Sequence, residues 1–512
     1  MGSKNQDDIN YTPPGQKRGE YYRGVVNDTT YDSSDVSPVT SRPEPKSHGV
    51  PLTPMAAGAT MLNLVLASGP FSYPYGFVNT SPFLGIVLMG VISVFSYMTA
   101  TFMVEALSIS CAMRFNPDED ERTIYPSLPG EDPSIKRKRD EADSDVKESP
   151  YYIREKVEIS KMCDDHLHVA AKYVLFFIIA CYMYGAMIFK YVAGAKSLSE
   201  GISFTFTGEK DKYDEQFKFY YICIAVFAVV SLMFSLGNIE NSRVLQVVSM
   251  YLRFLTTFLM IVGSLISIFR HGITFKMSDN VPDISHVPNL VSNTVFIFVV
   301  HHSVAGIVKP VRPQKAVYPL IFYSFTVGGA ILVVEAMLAA LAFSHIDNKD
   351  CNKFPCEIQG LYNENFEAIP VIGQITNFYP TLNVAAIPIL TITLRNNLFV
   401  LLNIPQASET RLTKALWSFG LSVPVVIVAC VFQDPQLIMT YTGGLGGTCI
   451  LFIIPCVMII FARKNNLQHL YQTDNFNKSA FQNFIWPILG LLMATISLGT
   501  TFYGIIKGES GE

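Results

Sequence analysis

Residues 61 to 75 read Met61-Leu-Asn-Leu-Val-Leu-Ala-Ser-Gly-Pro-Phe-Ser-Tyr-Pro-Tyr75. The stretch begins as an apolar helix and then meets Gly69, Pro70 and Pro74 about where a membrane helix would be halfway across. Glycine loosens the backbone and each proline removes a hydrogen-bond donor, so several peptide groups lose their intrahelical partners. Inside a bilayer such groups must be covered by protein or by an aqueous cavity. The stretch therefore predicts a broken transmembrane helix, from which many secondary transporters build a binding site.

The composition is that of a polytopic membrane protein. Of the 512 residues, 50% are hydrophobic and only 16% are charged, which is too little charge for a soluble protein of this size. The formal net charge is -4, but the charged residues are concentrated in the N-terminal tail and in one loop. The net charge therefore indicates no partner, and no nucleic-acid partner is expected. Residues 1–50 are polar and lack the apolar core of a secretory signal. The first span itself is expected to direct insertion.

Eleven apolar runs are long enough to cross a bilayer, which takes about 20 residues. The predicted fold class is therefore an all-α polytopic membrane protein, and we number the predicted runs as spans one to eleven in chain order. Their approximate limits are 55–78, 83–111, 167–195, 217–236, 243–269, 289–308, 316–343, 368–393, 412–432, 436–461 and 481–506.

Basic residues near the span ends predict the orientation. More Lys and Arg lie on the side shared with the N-terminus than on the opposite side, which places the N-terminus in the cytoplasm. We expect a disordered cytoplasmic tail at 1–53, because it has too few aliphatic residues to order itself, and a transporter-like membrane domain at 54–506. Residues 112–166 form a long cytoplasmic loop in this topology, and 507–512 form a short non-cytoplasmic tail.

Two loop features have simple interpretations. The run Lys136-Arg-Lys-Arg139 resembles a nuclear signal, but beside a membrane it is typical of a solvated segment near anionic lipid. Cys351 and Cys356 lie in a polar loop that faces an oxidising compartment if the topology is right, so a local disulfide is predicted. No histidine pair accompanies these cysteines at zinc-ligand spacing.

Span six carries the second predicted break. Its sequence Phe296-Ile-Phe-Val-Val-His-His-Ser-Val-Ala-Gly306 places two histidines near the membrane midplane. If spans one to five and six to ten are two inverted repeats, the breaks of spans one and six coincide. Histidine titrates near neutral pH and suits a proton relay, although a midplane histidine can also simply join helices by hydrogen bonds. The predicted substrate-binding residues at the two breaks are Ser68, Gly69, Pro70, Phe71, His301, His302 and Ser303.

Other polar residues in the spans are candidates for coupling or gating. The amide of Asn63 could ligate a cation or could tie two helices together. Glu105 and Arg253 are interpreted as a structural or gating charge pair, whereas Lys190 and Glu335 are placed near span ends, where snorkelling removes most of the cost of their charge. The residues predicted for ion or proton coupling are Asn63, His301, His302, Thr381 and Asn383.

No arrangement of nucleophile, base and acid is present in the sequence, and no metal motif. The sequence therefore predicts that the protein is not an enzyme, and it indicates no cofactor.

Four stretches resemble the transmembrane protein 104 family, a branch of the amino acid/auxin permease group in the amino acid-polyamine-organocation superfamily. They are Asn63-Leu-Val-Leu-Ala-Ser-Gly69 with Pro74, Thr101-Phe-Met-Val-Glu-Ala106, His302-Ser303, and Pro388-Ile-Leu-Thr-Ile-Thr-Leu-Arg-Asn-Asn397.

The resemblance implies a five-plus-five inverted repeat, with broken helices one and six, an eleventh span, and substrate held at the two breaks. In sodium-coupled relatives, an Asn at the position of Asn63 and a Ser or Thr shortly before a Pro matching Pro388 help to bind the cation. This chain has Val384-Ala-Ala-Ile387 there. We therefore expect any coupled flux to follow a pH gradient rather than a sodium gradient.

These observations predict a secondary transporter of amino acids or related small zwitterions, coupled to protons and working by alternating access. The alternative is a membrane amino acid sensor or scaffold that binds its ligand without net transport. A channel is a third possibility, which the lack of a pore-lining ring of charge disfavours. The expected partners are the lipid bilayer, an amino acid substrate and a proton. The predicted location is an integral, multi-pass position in the plasma membrane or an endolysosomal membrane.

Overall fold

The structure of the protein is a computed structural model. It describes residues 52–115, 149–209, 212–236, 243–275, 282–344, 357–402, 410–464 and 474–507, together with residues 141 and 404. Nearly all of the predicted disordered tail lies outside the described residues. So do the run from Lys136 to Arg139 and both cysteines of the predicted disulfide, Cys351 and Cys356.

The described residues are helical, and their one β-bridge joins Leu52 to Val311. Two backbone hydrogen bonds hold it: Leu52 N–H donates to the carbonyl of Pro310 at 2.7 Å, and Arg312 N–H donates to the carbonyl of Leu52 at 3.0 Å. The bridge fixes the start of span one beside the residues that follow span six.

Nine helices of the described part are long and apolar enough to cross a membrane. The protein is therefore an integral, multi-pass membrane protein. The nine are Pro82–Ala112, Ala170–Thr207, Val247–His271, Val287–Val308, Gln314–Phe343, Ile372–Phe399, Leu412–Val431, Pro435–Lys464 and Ile485–Lys507.

The other two predicted spans contain shorter apolar helices. Predicted span four is the helix Phe219–Ser235, and predicted span one begins with the helix Pro54–Val65. Length alone therefore does not give the predicted count of eleven.

Span one is interrupted where its sequence predicts a break. The first half-helix, Pro54–Val65, begins at Thr53, whose side chain accepts a hydrogen bond from Ala56 N–H at 3.3 Å. Three residues later a second half-helix runs over Gly69–Thr80, with Pro70 in its first turn, where the missing donor costs little. The break is shorter than expected, because Pro74 lies inside the second half-helix and removes a single rung of its hydrogen-bond ladder.

Span six is interrupted as well. Its first half-helix, Val287–Phe298, is followed by a 3₁₀ turn at His301–Ser303 and a short α-helix at Val304–Val308. The half-helices Gly69–Thr80 and Val287–Phe298 pack together, and the amide of Asn293 donates to the carbonyl of Ser72 at 3.2 Å.

Two predicted spans differ from their expected limits. Span three is the helix Val169–Thr207, which continues well beyond residue 195 and ends at Gly208, whose positive φ of 78° suits a glycine. Span eight is not one helix but Ile372–Thr376, a 3₁₀ segment at Tyr379–Ala385, and Ile387–Leu401. Pro380 and Pro388 each remove a ladder donor, which explains why one continuous α-helix does not form there.

Span ten contains two π-helical segments, Thr442–Gly447 and Cys449–Ile453. Its glycines allow close packing: a Cβ on Gly443 would lie 2.3 Å from the carbonyl oxygen of Ser292, and one on Gly444 would lie 2.2 Å from Thr501 Oγ1. Spans six and eleven therefore approach span ten closely along this face.

Candidate functional site

A cavity lies where the breaks of spans one and six meet spans three, five and eight. The space between its lining atoms, including the part that opens to solvent, is about 640 Å³. Among the described residues, no acidic side chain lines it. The side chains with polar groups that do are Asn63, Ser68, Tyr182, Lys190, Arg253, His302 and Ser303.

The start of the second half-helix of span one borders this cavity. Ser68, its N-terminal flanking residue, lines the cavity, and its side chain caps no backbone N–H. The first N–H groups of a helix have no intrahelical partner and carry a partial positive charge. This helix end can therefore accept an anion from the cavity side.

Gly69 packs against a neighbouring helix. This residue does not line the cavity; it faces span seven, where a Cβ on Gly69 would lie 2.8 Å from both terminal methyl carbons of Leu332. A larger residue there would disturb helix packing before it touched a ligand. Pro70 and Phe71, also predicted as substrate-binding, do not line the cavity either.

Phe71 belongs instead to a layer of aromatic rings beside the cavity. Its ring stacks on Phe189 of span three, with centroids 6.0 Å apart and planes 8° apart, and meets Tyr379 edge-on at 5.4 Å. Phe189 in turn meets Phe296 at 5.2 Å. Because Phe296 lines the cavity, the layer closes one of its walls.

The two histidines of span six have different surroundings. His302 lines the cavity together with Ser303, and its ring lies 5.8 Å from that of Tyr182. His301 does not line it; its Nε2 is 3.0 Å from the hydroxyl of Thr99 on span two. The pair predicted as one unit therefore separates into a cavity residue and a residue that joins two helices.

Arg253 of span five connects span one to span eight. Its guanidinium donates to Asn63 Oδ1 at 3.2 Å and to the carbonyl of Leu382 at 3.3 Å, and the residue is 3% exposed. The amide oxygen that the sequence offered to a cation is thus bound by a cation of the protein itself.

The predicted charge pair between Glu105 and Arg253 is not formed. Glu105 accepts two hydrogen bonds of 2.9 Å from Arg463, in the fork geometry that suits a guanidinium and a carboxylate, and a third of 2.9 Å from Ser479 N–H. Arg463 lies at the end of span ten, beside Glu105. Arg253 is held by neutral oxygens elsewhere, so neither residue needs the other.

Thr381 and Asn383, predicted for ion coupling, lie on the 3₁₀ segment of span eight and do not line the cavity. The hydroxyl of Thr381 and the amide of Asn383 have no hydrogen-bond partner among the described residues. They flank Leu382, whose carbonyl Arg253 connects to Asn63.

Sequence reasoning placed Lys190 near a span end. Because the helix of span three runs from Val169 to Thr207, Lys190 lies near its middle instead, 7% exposed and lining the cavity. By hydropathy alone the apolar run ends early, because the charged residues Lys196 and Glu200 follow it. Within the helix these two residues lie one turn apart and pair with each other at 3.7 Å.

Sequence reasoning also placed Glu335 near a span end. The structure buries it completely in span seven, and neither carboxylate oxygen has a hydrogen-bond partner among the described residues. It interacts electrostatically with the phenols of Tyr362 and Tyr379. The hydroxyl of Tyr379 donates to the carbonyl of Leu66 at 2.7 Å, so Glu335 is connected to the break of span one.

Comparison with known proteins gives relatives of the same length and modest identity. No family model matches the chain. It is 25% identical over 501 residues to a Transmembrane protein 104 homolog of Dictyostelium discoideum, covering 90% of this chain and 98% of that protein. It is 24% identical over 470 residues to human Transmembrane protein 104, covering 85% and 92%. These relatives agree with the family resemblance found in the sequence, while the wider permease branch stays a prediction.

Two solved structures are similar in outline. One is titled as the inward-facing conformation of Mhp1, with a TM-score of 0.49, 10% identity, and coverage of 91% of this chain and 95% of that one. The other is titled as the crystal structure of MhsT in complex with L-phenylalanine, with a TM-score of 0.45, 13% identity, and coverage of 88% and 97%.

Proposed function

We propose that this protein is a secondary transporter of amino acids or related small carboxylate-bearing solutes. The observation that carries the proposal is the cavity between two interrupted helices, lined by basic side chains and by Ser68, which directly precedes an uncapped helix start. Interrupted backbone inside a membrane domain is tolerated where it lines a cavity, and this is where such transporters hold their substrate.

The proposed architecture has eleven spans. Two spans are added to the nine long helices. Span one consists of the half-helices Pro54–Val65 and Gly69–Thr80, and span four is the helix Phe219–Ser235. Spans one to five and six to ten then form inverted repeats, with the N-terminus and the 112–166 loop in the cytoplasm. The paired interruptions of spans one and six support this arrangement, because they occupy corresponding positions of the two halves.

The proposed site receives the substrate carboxylate at the start of the half-helix Gly69–Thr80. The N–H groups of that helix start are unsatisfied by any capping side chain, and Ser68 adds a hydroxyl on the cavity side. The partial charge of a helix N-terminus favours an anion there.

The proposed coupling ion is the proton. Arg253 already binds Asn63, so the oxygen that would ligate sodium is in use. His302 lines the cavity and His301 lies next to it in the chain, and both remain candidates for proton transfer. Glu335 joins them as a third candidate, because a carboxyl group can exchange a proton and this one is buried without a hydrogen-bond partner among the described residues.

The proposed motion is a rocking of the bundle around the cavity, with the aromatic layer of Phe71, Phe189, Phe296 and Tyr379 as one gate. These rings close one wall, so their separation would open the cavity on that side.

The alternative function is a sensor or scaffold that binds the same ligand without net flux. One observation favours it: part of the 112–166 loop is bound to the connection between spans six and seven. Ile153 N–H donates to Gln314 Oε1 at 3.0 Å, and the Gln314 amide donates to the carbonyl of Ile153 at 2.8 Å. A change in span six could therefore reach that loop.

Counterflow in proteoliposomes tests the proposal. Proteoliposomes that contain the purified protein are loaded with an unlabelled amino acid mixture, and the entry of each labelled amino acid is followed. The variants compared are wild type, Ala186→Leu, which places a larger side chain in the cavity wall, and Gly90→Leu. The matched control Gly90 lies on an exposed face of span two with nothing within 4 Å.

We expect exchange in wild type and in Gly90→Leu, and its loss in Ala186→Leu. A ligand that raises the melting temperature without any exchange would overturn transport in favour of the sensor.

A further inference from the structure

We infer that the substrate carries net negative charge and that Lys190 and Arg253 form its anion subsite. This inference rests on the proposed function, because it assigns the occupant of the same cavity.

Three basic side chains from three different spans face this cavity. Lys190 comes from span three, Arg253 from span five and His302 from span six. Lys190 interacts electrostatically with each of the other two. The like charges of Lys190 and Arg253 repel each other, so their arrangement is costly unless something in the cavity offsets it.

The described residues supply no such counter-charge. Lys190 forms no hydrogen bond or ion pair with any of them, and Arg253 is held only by the neutral oxygens of Asn63 and Leu382. Glu335, the buried acid of span seven, makes no ion pair either. A guanidinium stays charged at any physiological pH, so the ligand is left to bring the negative charge.

A lysine on the same helix shows the opposite arrangement. Lys172, near the start of span three, is 9% exposed and pairs with Asp164 at 3.0 Å. Where the fold needs a buried lysine for structure, it thus provides an acid. At Lys190 it provides a cavity.

The ligand chemistry that fits is a pair of carboxylates. One would bind the helix start at Ser68 and the other would bind Lys190, with Arg253 adding positive potential to the same wall. A neutral amino acid brings one carboxylate and a cationic ammonium group, which adds a further positive charge to the cavity. Acidic amino acids and simple dicarboxylates share the favoured feature, and they differ in whether an amine is tolerated.

The experiment uses the full-length protein in proteoliposomes with three labelled probes: L-glutamate, succinate and L-leucine. Counterflow of each probe and its effect on the melting temperature are measured in wild type, Lys190→Gln, Lys190→Arg and the matched control Lys172→Gln. We expect L-glutamate or succinate to be exchanged in wild type and L-leucine to be exchanged poorly. In Lys190→Gln the anion concentration at half-saturation should rise about tenfold or more, because a charge-assisted hydrogen bond is lost.

Lys190→Arg should retain most of the anion exchange, and Lys172→Gln should leave half-saturation unchanged. A preference for L-glutamate identifies acidic amino acids as the substrate class, and a preference for succinate identifies simple dicarboxylates. Exchange of L-leucine that is equal to that of the anions and indifferent to Lys190→Gln overturns the inference and leaves transport intact. Anion binding that depends on Lys190 without exchange of any probe supports the subsite and overturns transport. If no anionic probe binds or exchanges, the inference is wrong.

Discussion

Two buried charged regions of this protein differ in how completely they are satisfied. The Glu105 cluster joins span two to span ten and to the residues before span eleven: Arg463 binds both carboxylate oxygens, and a backbone N–H adds a third bond. In the cavity, Lys190 has no partner among the described residues and Arg253 has only neutral ones. The same chain builds a complete charge network in one place and leaves the other open, so the open one is where a ligand can complete the network.

The completeness of the Glu105 cluster extends to its neighbours. Asn475 donates to Ser108 at 2.9 Å, and the hydroxyls of Thr101 and Ser479 are 2.7 Å apart. These hydrogen bonds join polar groups of the protein to one another, which is typical of a structural network.

The largest expected effect comes from opening the closed cluster. Glu105→Ala leaves Arg463 without its carboxylate and should destabilise the protein by about 3 kcal/mol, the usual cost of breaking a largely buried ion pair. The measurement is the melting temperature of the purified protein, with Glu105→Ala/Arg463→Met as control. The double variant should lose less than the sum of the single losses; additive losses would show that the two side chains are not coupled.

The next effect concerns the unpaired acid. In Glu335→Gln the side chain no longer exchanges a proton, so uptake driven by a pH gradient should fall about tenfold or more while counterflow at equal pH persists. The comparison variant is Glu364→Gln, which changes another largely buried glutamate outside the spans. If gradient-driven uptake survives Glu335→Gln, then Glu335 does not carry the proton.

Closing the open region should weaken the ligand. Asn63→Asp places a carboxylate 3.2 Å from Arg253 in the present geometry. An internal counter-charge should raise the melting temperature of the empty protein and weaken anion binding by about tenfold. Asn63→Leu, which adds no charge, is the control. Stronger anion binding in Asn63→Asp would contradict the assignment of Arg253 to the anion subsite.

The two histidines should separate in their effects. His302→Gln changes a cavity residue. We expect it to alter how uptake depends on pH, with the uptake rate at a given pH changing by a few-fold. His301→Gln removes the partner of Thr99 and should lower the melting temperature by the equivalent of about 1 kcal/mol. Uptake at several pH values and melting curves of both variants test this. Equal changes in the pH profile would mean that the pair acts as one unit after all.

The last prediction concerns pH and lies outside the spans, at His166. Burial lowers the pKa of His166 to about 4, and its Nε2 is 2.9 Å from Ser110 Oγ. Because the folded protein binds this proton less readily than the unfolded chain, the stability from neutral His166 is complete above about pH 6.5 and is lost as pH falls toward 4. Melting temperatures between pH 7.5 and 4 should fall less steeply in His166→Gln than in wild type. The exposed His168→Gln controls for loss of an imidazole.

The breaks of spans one and six follow from local chemistry, and for that reason the sequence was sufficient to locate them. Gly69 and Pro70 disturb a helix wherever they stand, and the histidines of span six fall where the apolar run changes character. Pro74 was misjudged, because a proline inside a helix costs one bond that the rest of the half-helix can bear.

The partners of charged residues could not be read from the sequence. Glu105 pairs with Arg463, more than 350 positions away in the sequence, because the fold brings their helices together. A pattern along the chain does not show which distant residues become neighbours. Lys190 was misplaced for a different reason. Hydropathy measures the composition of a run, and it ended span three before Lys196, although the hydrogen-bonded helix continues to Thr207.

The bridge between Leu52 and Val311 sets a mechanical relation between the two broken helices. Its two backbone hydrogen bonds hold the start of span one to the end of span six. When one of these ends shifts, the other is displaced with it, unless both bonds break. The two broken helices are therefore tied through their backbones at one end, and a widening between them at that end requires these two hydrogen bonds to break.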